Sequence, residues 1–376
     1  MSSAFSFGFS GDDIDESENN VEVKDKRQHL GQPSHQASSE EAAPVLQEAT
    51  KIELDDILSS LPSQISYNTL PISDPTLWSY PIPIPRRDVF DIRAQLMAEA
   101  DSETNSNETL IAGLEAGDIT PAVYEGGFKT WESAIDLART AAERLGPAFE
   151  DEVDDLDLIE LGAGTAIPSL LLLRLFLQSS PKTTQQTRKI NFILADYNAA
   201  VLSLVTLPNI LLTWYTCCKN PEAESESELQ IDSALLDSFR HDLSARGISL
   251  SFISGGWSPR FVDLIAPESN AKSLNNTHQT FILASETIYS PTYLRPFAET
   301  LTGLLRRRTR PVSGPAQNKA RTRALVAAKK VYFGVGGGVD EFLETLKEIG
   351  GEDMHTQEVT MVLDQGVVRV VLEITV

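Results

Sequence analysis

The stretch "DLDLIELGAGTAIPSLLLL", Asp155–Leu173, passes from a run of β-formers through two glycines spaced G-x-G into a leucine-rich segment. It reads as a buried strand closed by Glu160, a tight loop holding Gly162 and Gly164, and a helix with Pro168 in its first turn. Three ligand readings compete for such a loop. A dinucleotide fingerprint needs a third glycine three positions after the second, and Ile167 stands there instead. A nucleotide phosphate loop needs a lysine after its last glycine, and none follows Gly164. What remains is a loop whose glycines permit positive φ and let the backbone come close to a ligand that brings no phosphate. S-adenosylmethionine suits it, since its carboxylate can take loop amides and its ammonium can face an acid. A ligand-free turn between strand and helix is the alternative for an isolated G-x-G.

Working outward, hydrophobic strands and helical stretches alternate. "KINFILAD", "SLSFIS", "TFILAS" and "LVAAKKVYFGV" follow as four more strands, separated by helical segments such as "NAAVLSLVTLPNILLTWYTCC" and "PTYLRPFAETLTGLLRRR". That order predicts parallel strands with crossover helices. The chain closes on "TQEVTMVLDQGVVRVVLEITV", which reads as a hairpin turning at "DQG". Five alternating strands and a terminal hairpin resemble the seven-stranded methyltransferase architecture, in which the last strand inserts antiparallel.

Polar residues gather where these strands end. Asp196 closes the second strand, placed to accept two hydrogen bonds from ribose hydroxyls, although Asp196 or Asn198 could equally cap the helix that follows. After the third strand come Gly255, Gly256 and Trp257, whose indole can lie against adenine. Ser285, Glu286, Thr287 and Tyr289 follow the fourth, the usual edge for a donor site and an acceptor pocket. Three glycines, Gly336–Gly338, lie beyond the fifth strand, either to admit a substrate backbone or as a flexible connection.

The remainder of the chain sets outer limits. Residues 1–50 are rich in Ser, Asp, Glu and Gln, predicting a disordered acidic tail. Residues 51–121 read as a segment strapped across the body, with "KIELDDILSSLP" as an amphipathic turn and "LPISDPTLWSYPIPIPRRDVF" too proline-rich for a helix or a central strand. Residues 122–376 form the α/β domain. With 31 Lys plus Arg against 54 Asp plus Glu, the net charge of −23 disfavours direct DNA binding and favours a basic partner. No apolar run of about 20 residues is evident, so no membrane span is expected. The cysteines are Cys217 and Cys218, adjacent and poorly placed for a strain-free disulfide, which fits a reducing compartment. The five histidines lack metal-ligand spacing, and no metal site is expected. "RRRTRP" and the residues to 323 make a basic loop, read as a solvated insertion or as a nuclear-import or RNA contact.

"AVYEGGFKTWESAIDL" (Ala122–Leu137) sets two glycines among Tyr, Glu, Lys and Trp just before an amphipathic helix. With "ELGAGTAIPS", "ADYNAAVLSLVTLPN", "SETIYSP" and "AAKKVYFGVGGGV", it resembles the protein-histidine methyltransferase family, whose members modify a histidine of a large-subunit ribosomal protein. The likeness spans residues 85–376. It implies a doubly wound, Rossmann-like class I methyltransferase fold with S-adenosylmethionine as donor and a basic large-subunit ribosomal protein as substrate. It also implies donor contacts at Thr130, Trp131, Glu132, Ser133, Ala134, Gly162, Asp196, Tyr197, Asn198, Trp257 and Ser285, and Glu160, Gly164, Gly255 and Gly256 are assigned to the same donor site from their places at the strand ends. Relatives commonly carry an acid where this chain has Gly256, which implies a weaker hold on adenine. The implied product is tele-methylhistidine, with Glu286 or Tyr289 holding the ring. A monomer in cytoplasm and nucleus is expected. Two rivals stand beside this reading, a lysine methyltransferase of the same fold and a non-enzymatic acidic escort of a basic ribosomal protein.

Overall fold

A computed structural model describes residues 47–99, 106–115, 126–150, 155–179, 188–221, 224–267, 278–308, 322–332, 336–364 and 366–376. Most of the tail, the centre of the basic loop and Phe333–Val335 lie outside the described residues. The strands are β1 (Thr50–Ile52), β2 (Gln64–Ile72), β3 (Ile82–Arg87), β4 (Leu156–Leu161), β5 (Ile190–Asp196), β6 (Glu226–Gln230), β7 (Ile248–Ser254), β8 (Gln279–Ser285), β9 (Thr322–Lys329), β10 (His355–Asp364) and β11 (Val367–Thr375). The α-helices are α1 (Leu54–Ser59), α2 (Val89–Ala98), α3 (Ser106–Glu115), α4 (Glu132–Glu150), α5 (Ile167–Gln178), α6 (Ala199–Cys218), α7 (Ser233–Ala245), α8 (Pro259–Ile265), α9 (Pro291–Arg308) and α10 (Val339–Gly350).

The main sheet runs β1-β7-β5-β4-β8-β9-β11-β10. From β7 to β9 the neighbours are parallel, while β11 pairs antiparallel with both β9 and β10. The doubly wound sheet with its terminal hairpin is therefore present, and the eighth strand is β1, antiparallel on β7. Every residue of β4 is buried, as a strand covered on both faces requires. Its pleat sorts them: Leu156 and Leu158 enter the core under α4, α5 and α6, and Ile159 and Leu161 the core under α8, α9 and α10.

Residues read as a proline-rich strap instead contribute to a second sheet, β3-β2-β6. Proline is tolerated because Pro83 and Pro85 sit in an edge strand, and β6 pairs only with Gln64–Asn68 of β2, leaving Pro71 outside the doubly paired part. Helix α6 corrects the membrane expectation, being long and apolar enough to cross a bilayer, yet Leu202, Leu207, Leu211 and Trp214 are fully buried in the fold. Its second turn, Leu202–Thr206, is π-helical. Helix α4 is clamped to the C-terminal strand where Arg369 Nε donates to Asp136 Oδ2 at 2.6 Å, both side chains being buried.

Candidate functional site

Strand order reverses between β4 and β8, the switch point where open α/β sheets place ligands. Register carries the consequence: Leu161 pairs with Ala195 on one side and Ala284 on the other, so the next residues, Gly162, Asp196 and Ser285, meet at one edge. All three line a pocket together with Trp131, Trp257, Glu286, Tyr289, Tyr293 and Tyr332.

The loop after β4 stands up because Gly162 and Gly164 take φ of 67° and 51°. A Cβ on Gly162 would lie 2.9 Å from Thr287 Cγ2, and one on Gly164 would lie 3.3 Å from the Gly127 Cα, so the loop is wedged between two other segments. Asp196 ties it down by accepting Gly164 N–H at 2.9 Å and Asn198 N–H at 3.0 Å. A carboxylate has about four lone-pair sites, so Asp196 retains capacity for hydroxyl donors. These amide bonds do not exclude the ribose role expected of it. Asn198 occupies the N-cap of α6 without a side-chain cap, and its amide reaches Gly126 O at 3.4 Å.

Below the loop, Thr206 Oγ1 donates to Gly164 O at 2.7 Å and Asn209 Nδ2 to Thr165 O at 3.0 Å. These donors come from the π-helical turn of α6 and the turn after it, where buried Arg87 also donates to Leu204 O at 3.0 Å. π-Turns of this kind often mark functional sites. Trp257 lies against Phe261 and Phe297 in edge contacts with centroids 5.0 and 5.5 Å apart, which fixes its ring at the pocket wall.

Glu160 and Gly255 have other contacts. Glu160, 1% exposed, accepts Ser169 N–H at 3.1 Å and so serves the start of α5, whose N-cap Ala166 offers no side-chain acceptor. Its other oxygen has no hydrogen-bond partner among the described residues, and burial pushes its pKa from 4.5 to about 8. Gly255, at φ 123°, makes way for the N-terminal segment: a Cβ there would lie 2.6 Å from the Ala49 Cα. Gly256 does line the pocket, and its amide donates to Gln47 O at 2.9 Å.

At the start of α4, Lys129, Trp131 and Ala134 line the pocket, whereas Thr130, Glu132 and Ser133 are not among the lining residues. Thr130 Oγ1 accepts Arg86 at 2.9 Å and donates to Thr165 Oγ1 at 3.1 Å, linking the small sheet to the glycine loop. Glu132 pairs with Lys329 at 3.4 Å. Ser133, fully buried, donates to Glu286 Oε1 at 2.5 Å.

Glu286 is one of two non-glycine residues with positive φ among those described, at 55°. An L residue held there stores strain of about 1–3 kcal/mol and points to a functional constraint. Its second oxygen accepts the Tyr332 hydroxyl. Burial raises the Glu286 pKa, while the Ser133 and Tyr332 bonds and the Lys329 charge act the other way. The Tyr332 phenol is itself held well above its ordinary value by burial and by Glu286. Tyr289 meets the Tyr332 ring at 6.4 Å, tilted by 65°. Tyr332 and Tyr293 were absent from the residues singled out by sequence, as were Gly126, Gly127, Lys129 and Thr165. Most of them lie in the quoted motifs, but nothing local told which way they face. The glycine run is no slot for a substrate backbone at its centre, because a Cβ on Gly337 would lie 2.3 Å from Tyr289 O, space the chain fills itself.

This arrangement fits a donor like S-adenosylmethionine: a cradle that side chains would fill, a carboxylate at the strand end, and aromatic walls. No protein-family model matches the chain. It is 34% identical over 279 residues to histidine protein methyltransferase 1 of Saccharomyces cerevisiae, covering 70% of this chain and 68% of that protein. Identity to the protein of the same name in Schizosaccharomyces pombe is 32% over 273 residues, covering 70% and 69%. Among solved structures, magnesium protoporphyrin IX methyltransferase from Synechocystis with bound SAM aligns at TM-score 0.32 and 10% identity, over 76% of this chain and 89% of that one.

Proposed function

The chain belongs to the histidine protein methyltransferase family, and on that premise we propose that it methylates the tele nitrogen of a histidine in a basic protein of the large ribosomal subunit. It is an S-adenosylmethionine-dependent protein methyltransferase. Bound at the glycine loop, the donor supplies an electrophilic methyl on a sulfonium sulfur. Asp196 is the residue to take its ribose hydroxyls, Trp257 its adenine face and Gly162–Gly164 its backbone-facing edge.

The observation that carries the acceptor reading is a half-buried carboxylate, Glu286, held by two hydroxyl donors in a pocket walled by Trp131, Tyr289, Tyr293 and Tyr332. A neutral imidazole, with an unperturbed pKa of about 6.5, is already a nucleophile near neutral pH, so the protein needs to hold the ring rather than deprotonate it. Glu286 meets that need by accepting the N–H of one ring nitrogen, and the aromatic walls exclude water and align the other. The net charge of −23 supports a basic protein as partner by steering it in.

The test is transfer of labelled methyl from S-adenosylmethionine to purified large-subunit proteins, followed by peptide mass spectrometry. Label on one histidine of one basic protein is the expected result. Label on lysine would replace the acceptor, and donor binding without transfer to any protein would favour the escort.

A further inference from the structure

We propose that Tyr332 is a positioning residue for transfer: with Ser133 it fixes the Glu286 carboxylate as acceptor for the N–H on the pros nitrogen, selecting the tautomer whose tele nitrogen carries the free lone pair. The inference rests on the histidine reading above and concerns how the ring is held.

The hydrogen bonds leave little choice of direction. The Tyr332 hydroxyl oxygen receives Lys329 N–H at 3.3 Å, so its one hydrogen is committed to Glu286 Oε2. Ser133 Oγ does the same at Oε1, at 2.5 Å. Both donors orient an ionised carboxylate, and each oxygen keeps lone-pair capacity for a ring N–H. A protonated Glu286 would instead present a hydrogen to the ring and favour the opposite tautomer.

The three groups come from separate elements, each with an anchor of its own. Ser133 rides on α4, clamped by Asp136 to Arg369 of β11. Glu286 is fixed by its own amide, which donates to Ala327 O at 2.9 Å. Tyr332 sits in a loop closed by the Val331–Gly338 bridge and docked where Gly337 N–H meets Tyr289 O at 3.1 Å. The glycine run thus has a use: only a residue without Cβ lets that loop approach near enough for Tyr332 to reach Glu286. Around Glu286, Ser133, Tyr332 and Lys329 favour the ionised form; burial and Glu132 oppose it, and Tyr289 stands beside Tyr332.

The experiment measures kcat/KM against pH for Tyr332→Phe, with donor affinity measured separately. Removing one donor makes Glu286 hold its proton to higher pH, so the acid limb of the profile moves up. The limb from the substrate imidazole is common to both enzymes and stays in place. At neutral pH transfer falls roughly 10- to 100-fold, as for loss of a hydrogen bond to a charged group, with donor Kd unchanged. Ser133→Ala, which removes the other donor, moves the limb in the same direction and serves if Tyr332→Phe does not fold. In a Glu286→Gln background, Tyr332→Phe leaves the profile where it was. A reduced rate with an unmoved profile in both single variants reduces Tyr332 to packing and overturns the assignment. Lysine label from the wild-type enzyme ends the histidine reading itself, and the two failures are therefore told apart.

Discussion

On the side of the pocket formed by β4, β5 and β7, a ligand meets mostly backbone: two glycines in left-handed conformation, amides tied to Asp196, and two rings, Tyr197 and Trp257. On the side formed by β8, β9 and the start of α4 it meets long side chains, Glu286, Tyr289, Tyr293, Tyr332 and Trp131. The difference suits the roles proposed for the two sides. A small donor of constant shape is well served by a close, rigid backbone surface with little side-chain entropy to lose. An imidazole that must present one nitrogen and hide the other needs oriented dipoles, and these come from side chains whose own donors are fixed.

If that contrast holds, backbone changes should hurt the donor side most. Gly162→Arg forces a side chain into a left-handed position and against Thr287, and donor binding should be lost altogether while circular dichroism stays native. Retained binding would dissolve the cradle. Asp196→Ala comes next: it strands the Gly164 and Asn198 amides and removes the hydroxyl acceptor, weakening donor Kd by roughly 100-fold by calorimetry. Gly337→Ala probes the other side, because its Cβ displaces Tyr289 and with it the loop carrying Tyr332. A fall in kcat of roughly tenfold with donor Kd intact is expected, the size of one lost charge-assisted hydrogen bond. A change in both parameters would mean the two halves are not separable.

The smallest effect is on stability and concerns Glu160. Its folded pKa of about 8 lies above the ordinary 4.5, so its stabilising contribution is whole below pH 4.5 and is lost as pH rises towards 8. Thermal midpoints should fall across that window in the wild type more than in Glu160→Gln, whose amide oxygen still accepts Ser169 N–H. The two should be close at pH 5, and the variant should lead by roughly a few degrees at pH 8.5. Parallel curves would show that Glu160 is ionised in the fold throughout.

Much of the pocket lining on the glycine-loop side was legible because its residues follow one another. Strand, Gly162, Gly164 and helix sit within one short segment, and Asp196, Trp257 and Ser285 each end or follow a strand whose hydrophobic run is plain. Glu160 and Gly255, singled out beside them, are not among the lining residues. They stand beside true lining residues in sequence, but Glu160 belongs to the buried strand and answers the helix amide, and Gly255 meets Ala49, about 200 positions away. The small sheet was hidden by proline, whose cost depends on whether a partner strand needs that N–H, and that is known only once β6 is seen to stop short of Pro71.

By itself the sequence determined the order of the five central strands and the helices between them, the terminal hairpin and the glycine loop, since hydrophobic period and glycine punctuation act over a few residues. Only the tertiary structure brought together the residues of the proposed acceptor side. Ser133 and Glu286 lie 153 positions apart and Glu286 and Tyr332 46 apart, and their meeting depends on the register of β8 with β9 and on the clamp holding α4. Hydrogen-bond direction is set by what surrounds a group in space, which no local pattern of residues encodes.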